Sequence, residues 1–226
     1  MQGCDRTRFS REGIRAIGQN DGDRCVTYRR FSVTAAALLL ALQGCSGFPF
    51  GSTQALDTFE LTRATTAAEG QRRSRTQVLV AEPTALQALD GQNIVIKTSA
   101  GSIEYLSGAQ WSDRLPKIVQ ARLAEAFQAS GRLGGVGKPG EGLAIDYQVV
   151  TDVRAFEVRV DGTPRASVEL YVRVLNDRNG VVRASRSFST EVPLGGATDN
   201  ESYVRALDAA FAQLVGDIVP WAIAAM

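Results

Sequence analysis

Residues 166–175 read Ala166-Ser167-Val168-Glu169-Leu170-Tyr171-Val172-Arg173-Val174-Leu175. Ala166, Val168, Leu170, Val172 and Val174 alternate with polar or aromatic neighbours, the period-two pattern of a strand with one buried face. Asp161-Gly162 precedes the stretch and Asn179-Gly180 follows it, and both dipeptides favour tight turns. Upstream, Ile145, Tyr147, Val149 and Val153 keep one parity, whereas Phe156, Val158 and Val160 keep the other. A parity change inside one strand predicts a β-bulge near Arg154-Ala155. Downstream, Val181 to Thr190 supplies a third strand, so the three form an antiparallel meander.

Two amphipathic helices frame this meander. In Asp113 to Ser130, residues Leu115, Ile118, Val119, Leu123, Ala126 and Phe127 recur at three- and four-residue spacing. Ser112 is its expected cap, Pro116 falls in the first turn, and Gly131 ends it. The second helix carries Tyr203, Leu207, Ala210, Phe211, Leu214, Val215, Ile218 and Val219 on one stripe. Thr198 and Glu201 are suited to a capping box, and Pro220 is expected to close it. Shorter strands are expected at Phe59 to Thr62 and at Thr76 to Ala81, the latter stopped by Pro83. Asn93 to Thr98 and Ser102 to Leu106 suggest a hairpin about Ala100-Gly101. Ala64 to Arg75 reads as a polar loop. The expected fold is α+β, a single domain with a mainly antiparallel sheet and both helices packed on one face.

Composition narrows the function. The chain has 226 residues, 44% hydrophobic and 22% charged, which is ordinary for a globular protein. Lys+Arg is 25 against Asp+Glu 24, so there is no basic excess of the kind nucleic-acid binding needs. Histidine is absent, which excludes His-dependent triads and His-ligated metal sites. Gly135, Gly137 and Gly140 satisfy G-x-G-x-x-G, but the run from Gly134 to Gly140 reads as a loop that follows a helix and precedes a strand, the reverse of a dinucleotide fingerprint. No nucleophile–base pair, metal site or cofactor motif emerges. Asp146 and Asp152 are the carboxylates that a hydrolase reading would have to use.

The three cysteines, Cys4, Cys25 and Cys45, lie near the N-terminus without a CxxC pair. Tyr28-Arg29-Arg30 is a basic n-region, and Phe31 to Leu42 is an apolar run too short to span a bilayer. It ends in Leu42-Gln43-Gly44-Cys45-Ser46, which resembles a bacterial lipobox, with cleavage after Gly44 and acylation (including palmitate) of Cys45. Residues 1–25 are polar and fit poorly ahead of such a signal. The expectation is that they are a gene-model extension, with translation starting at Val26 instead of Met1. Residues 26–44 are then the signal peptide, 45–55 a tether and 56–226 the domain. Removal of the signal leaves a mildly acidic chain with no polybasic patch, so the lipid must hold it to the membrane.

The segment Tyr105-Leu106-Ser107-Gly108-Ala109-Gln110-Trp111-Ser112-Asp113-Arg114-Leu115-Pro116 resembles the ABC-type transport auxiliary lipoproteins, which accompany Mce-type lipid transporters. A tyrosine strand there leads through a Trp to a helix opening near a proline. The resemblance continues through Ala144-Ile145-Asp146-Tyr147, Ala184-Ser185-Arg186-Ser187-Phe188 and the last helix, over about residues 59–221. It implies a non-catalytic subunit working with an Mce-domain protein and, through it, an ABC permease and ATPase, moving phospholipid or sterol-like lipid between inner and outer membranes. Ser46 after the lipidated cysteine points to the periplasmic face of the outer membrane, with the inner membrane as the alternative. Tyr105 and Trp111 are the candidate partner contacts. Competing readings are a stand-alone envelope lipoprotein that binds lipid or polymer, and a periplasmic hydrolase.

Overall fold

A computed structural model describes residues 55–64 and 72–226. Cys45, the expected signal segment and most of the expected tether fall outside the described residues. Strands β1 (Asp57–Phe59), β2 (Arg73–Val80), β3 (Thr84–Ala85), β4 (Asn93–Lys97) and β5 (Glu104–Trp111) precede helix α1 (Leu115–Ala129). Then come β6 (Leu133–Gly137), β7 (Tyr147–Arg159), β8 (Arg165–Asn176), β9 (Val182–Pro193) and helix α2 (Asn200–Ala225).

All nine strands join one mixed sheet whose spine is β7. One edge of β7 takes β8 in antiparallel register from Tyr147↔Asn176 to Arg159↔Arg165, and β9 continues the meander. Its other edge is shared by three short parallel partners: β2 at Val78↔Tyr147, β3 at Thr84↔Asp152 and β4 at Val95↔Glu157. The long ladders are therefore antiparallel as expected, and the parallel ladders are all short.

The bulge sits where the parity change requires it. Val153 pairs with Leu170 and Ala155 with Glu169, so Arg154 is the extra residue. Val149, Thr151 and Val153 before it, and Phe156 and Val158 after it, are all buried toward the helices. The same alternation in β8 buries Ala166, Val168, Leu170, Val172 and Val174. Gly162 (φ 134°) and Gly180 (φ 68°) take the turn conformations that L side chains resist.

Several boundaries differ from expectation, each for a local reason. Helix α2 does not stop at Pro220 but runs to Ala225. Pro220 has no N–H to give the carbonyl of Gly216, yet Ala222 and Ile223 beyond it are fully buried, and that packing outweighs one missing hydrogen bond. Asp199, not a Thr198–Glu201 box, caps this helix: its carboxylate accepts the Ser202 N–H at 2.9 Å, and this bond holds the carboxyl below the usual carboxylate range. Ser112 does not cap α1; Arg114 occupies the N-cap without a side-chain cap, and Ser112 reaches Glu60. The expected first strand ends at Phe59, because Leu61 turns into the core, 1% exposed. There the Asp208 carboxylate accepts from both the Thr62 N–H and hydroxyl at 2.7 Å, while Arg122 donates to the Leu61 carbonyl at 2.6 Å. This segment thereby ties α1 to α2.

The glycine-rich run is a loop only from Lys138 to Gly140. Leu133–Gly137 is strand β6, pairing parallel to β2. A Cβ on Gly134 would stand 2.4 Å from the Ser74 carbonyl oxygen, so this glycine permits the close approach of two backbones. Gly134→Ala should force β6 off β2 and cost roughly 1–3 kcal/mol in urea unfolding. Gly140→Ala, whose Cβ would meet nothing within 4 Å, should be milder and reflect only its positive φ.

Candidate functional site

Strand β5 positions both aromatic residues singled out in the sequence, and it separates them. Tyr105 and Trp111 have the same parity, so a regular strand would place them on one face. Instead the register against β4 jumps from Asn93↔Gln110 to Val95↔Tyr105. The excess residues lie at Leu106-Ser107-Gly108, where Gly108 has φ 75°. The Asn200 side-chain amide donates to the Ser107 carbonyl at 3.0 Å, so the start of α2 pins the irregularity.

Trp111 consequently points toward the helices. It is 1% exposed, edge-on to Phe156 at 5.7 Å between ring centroids, and Phe156 is 6.0 Å from Phe211 of α2. This geometry makes Trp111 a packing residue, and contact with a partner through it would require opening the core. Tyr105 is 49% exposed and follows the exposed Ile103. Through the pairing Tyr105↔Val95↔Glu157 it stands on the sheet face opposite the helices. Ile103 was not singled out in the sequence, although its parity with Tyr105 was a usable signal.

That open face is polar and cross-linked by charge. Glu157, 4% exposed, meets Lys97 at 2.9 Å. The Asp161 carboxylate accepts from Arg159 at 3.2 and 2.6 Å, and these hydrogen bonds hold it below the usual carboxylate range. Arg165 reaches Glu191 at 3.0 Å. Arg154, projected outward by the bulge, lies 4.3 Å from the centroid of Tyr171, pairs with Asp152 and Glu169, and donates to the Ser187 hydroxyl at 3.0 Å.

The carboxylates considered for hydrolysis do not meet. Asp146 precedes β7, and Asp152 lies six residues on, about 20 Å along extended chain. Asp146 accepts the Gln77 N–H at 3.1 Å and an Arg178 N–H at 3.0 Å, whereas Asp152 is held by Thr84 and Arg154. Each serves the local structure. Among the described residues no cluster of His, Cys, Asp and Glu is arranged to hold a metal ion. Surface depressions are shallow; the one beside Asp57–Phe59 and Asp199–Glu201 contains no nucleophile–base pair.

Comparison with known proteins agrees with this arrangement. The family described as ABC-type transport auxiliary lipoprotein component matches residues 59–219. A crystal structure of a Xanthomonas campestris protein from family DUF330 superposes with a TM-score of 0.68 at 26% identity, covering 74% of this chain and 95% of that one. A second crystal structure, of an uncharacterized protein, shares the fold with a TM-score of 0.59 at 18% identity, covering 74% and 98% of the two chains. An uncharacterized protein of Bradyrhizobium diazoefficiens is 29% identical over 178 residues, 75% of this chain but 45% of its own length. This chain thus spans under half of that curated relative.

Trp111→Ala should lower stability by about 3–5 kcal/mol in chemical denaturation, as expected for emptying a filled aromatic site. Its remaining folded fraction should keep whatever partner binding the parent shows.

Proposed function

The chain belongs to the ABC-type transport auxiliary lipoprotein family, and we propose that it serves an Mce-type transporter moving phospholipid or sterol-like lipid between the two membranes. In this reading it is a non-catalytic coupling subunit. It is acylated on Cys45 after cleavage behind Gly44, stands at the periplasmic face of the outer membrane, and contacts an Mce-domain protein that links it to the permease and ATPase.

The observation that carries the reading is the family match across residues 59–219, nearly the whole described domain. The lipobox-like Leu42-Gln43-Gly44-Cys45 supports the anchor. Eleven residues lie between Cys45 and Asp57, the start of β1, and an extended chain over those twelve steps reaches about 40 Å. β1 pairs with β5, so the tether arrives at the sheet edge that also bears Tyr105 and Ile103. Exposed apolar groups beside the tether are suitably placed for a membrane-bound partner. Tyr105 is the contact we assign, since an aromatic side chain desolvates readily and offers a hydroxyl to a neighbour. Family membership argues for a role in transport without chemistry, and Asp146 and Asp152 do not form a catalytic pair.

Two measurements test this. Cys45→Ser should shift the protein from the membrane to the soluble fraction without altering its melting temperature, because two or more acyl chains at ~0.8 kcal/mol per buried CH₂ anchor it and the mature surface has no polybasic substitute. Persistence of the variant in salt-washed membranes would refute acylation as the anchor. Tyr105→Ala should reduce co-purification of the lipidated chain with the Mce-domain protein while changing stability by less than about 1 kcal/mol. Unchanged co-purification would remove Tyr105 from the interface.

A further inference from the structure

The outer edge of β9 has no strand beside it among the described residues; β9 pairs only with β8. It is 12 residues long, and only its last residue, Pro193, is a proline. Natural edges of this length are normally shortened, covered, bulged or guarded by charge, and this one is regular from Ala184 onward, its bulge being confined to Arg183 near the start. This one carries Arg183, Ser185, Arg186, Ser187 and Ser189 exposed, with Glu191 at its end.

The order of these residues is self-complementary. Two copies of β9 placed antiparallel with Ser187 on the two-fold axis oppose Ser185 to Ser189, and they bring Arg183, the extra residue where the β8 register shifts between Leu175↔Val182 and Val174↔Ala184, beside Glu191 of the other copy at each end of the ladder. They likewise oppose Ala184 to Thr190 and Arg186 to Phe188. Opposite charges meet, hydroxyl meets hydroxyl, and the Arg186 guanidinium, already 4.9 Å from its own Phe188 ring, meets an aromatic neighbour. Directly opposed residues must share a sheet face, so only registers centred on a residue are allowed. Centring on Arg186 would oppose two arginines, and centring on Phe188 would set Arg183 against Pro193. The face assignment agrees: Ser185, Ser187, Ser189 and Glu191 pair with Arg173, Tyr171, Glu169 and Ser167 of β8 on the open face, while Phe188 pairs with Leu170 on the helix face.

We propose that this edge is a homodimer interface in which β9 of one copy pairs antiparallel with β9 of a second, over residues 184–190, to make one continuous sheet. The two-fold axis runs through Ser187 perpendicular to the sheet. Both pairs of helices then lie on one side and both charged faces on the other. The inference does not depend on the transport reading, because it uses only the edge strand and its sequence.

Single cysteines read the register directly in the full-length chain whose own Cys4, Cys25 and Cys45 are changed to Ser, purified in mild detergent and oxidised with copper–phenanthroline. Ser187→Cys should give a disulfide-linked dimer that the parent chain does not, since the two Cβ atoms lie ~5 Å apart on the axis. Ser185→Cys alone should not, being about 13 Å from its own copy. Mixing Ser185→Cys with Ser189→Cys should restore the band. Arg183→Glu should weaken self-association in sedimentation equilibrium by roughly 2- to 30-fold, the range for losing two cross-strand ion pairs. A parent chain that sediments as a monomer at micromolar concentration, or a Ser187→Cys that links no better than Ser185→Cys, would overturn the proposal. So would efficient linking of Ser187→Cys to a different protein, which would make another chain the occupant of the edge.

Discussion

Every layer of the domain depends on one irregularity in β7. Without the extra residue at Arg154, a strict alternation that buries Val149, Thr151 and Val153 would go on to bury Ala155, Glu157 and Arg159 under the helices. Two of these are charged, and an unpaired charge in an apolar core costs several kcal/mol. The bulge instead turns Phe156 and Val158 inward and sends Glu157 and Arg159 to the open face, where Lys97 and Asp161 meet them. It also lets a strand of 13 residues serve β8 along one whole edge while three separate parallel strands divide the other.

From that inversion the aromatic joint follows. Phe156, brought inward just after the bulge, is the ring that both Trp111 and Phe211 touch. The joint therefore connects β7 with the end of β5 and the middle of α2. At the other end of β5 the excess residues up to Gly108 act in the reverse sense, returning Tyr105 to the open face. Two irregularities, one on each of two strands, thus divide the aromatic residues between core and surface.

The parity change, the two turn glycines and both apolar helical stripes were legible in the sequence because each is a local pattern repeated over many residues. Trp111 was harder to place. Its fate depends on the jump in β5 register, which only the pairing with β4 and the amide of Asn200 define. The glycine run at 134–137 read as a loop because Gly lacks strand propensity. Its reason for being in a strand, the nearness of the Ser74 backbone, lies about 60 residues away in sequence. Pro220 misled for a related reason: a local rule about proline was outweighed by the burial of Ala222 and Ile223. The candidate contacts Tyr105 and Trp111 were visible as residue types, but their separation between surface and core was not.

Helix α2 shows how composition and packing can suggest opposite things. It is 26 residues long and contains an 18-residue window of mean hydropathy 1.3, enough by length and composition to cross a membrane, yet 56% of that window is buried within the domain. Leu207, Ala210, Phe211, Leu214, Val215, Ile218, Val219, Ala222 and Ile223 are each at most 2% exposed. Burying a large aliphatic or aromatic side chain contributes about 1.5–3 kcal/mol, so withdrawing this stripe from the sheet would exceed the ~5–15 kcal/mol that holds an ordinary domain together. The apolar length of α2 is accounted for by the sheet it covers, and it cannot enter a bilayer while the domain stays folded. Any membrane attachment of the folded domain then has to come from outside the helix layer.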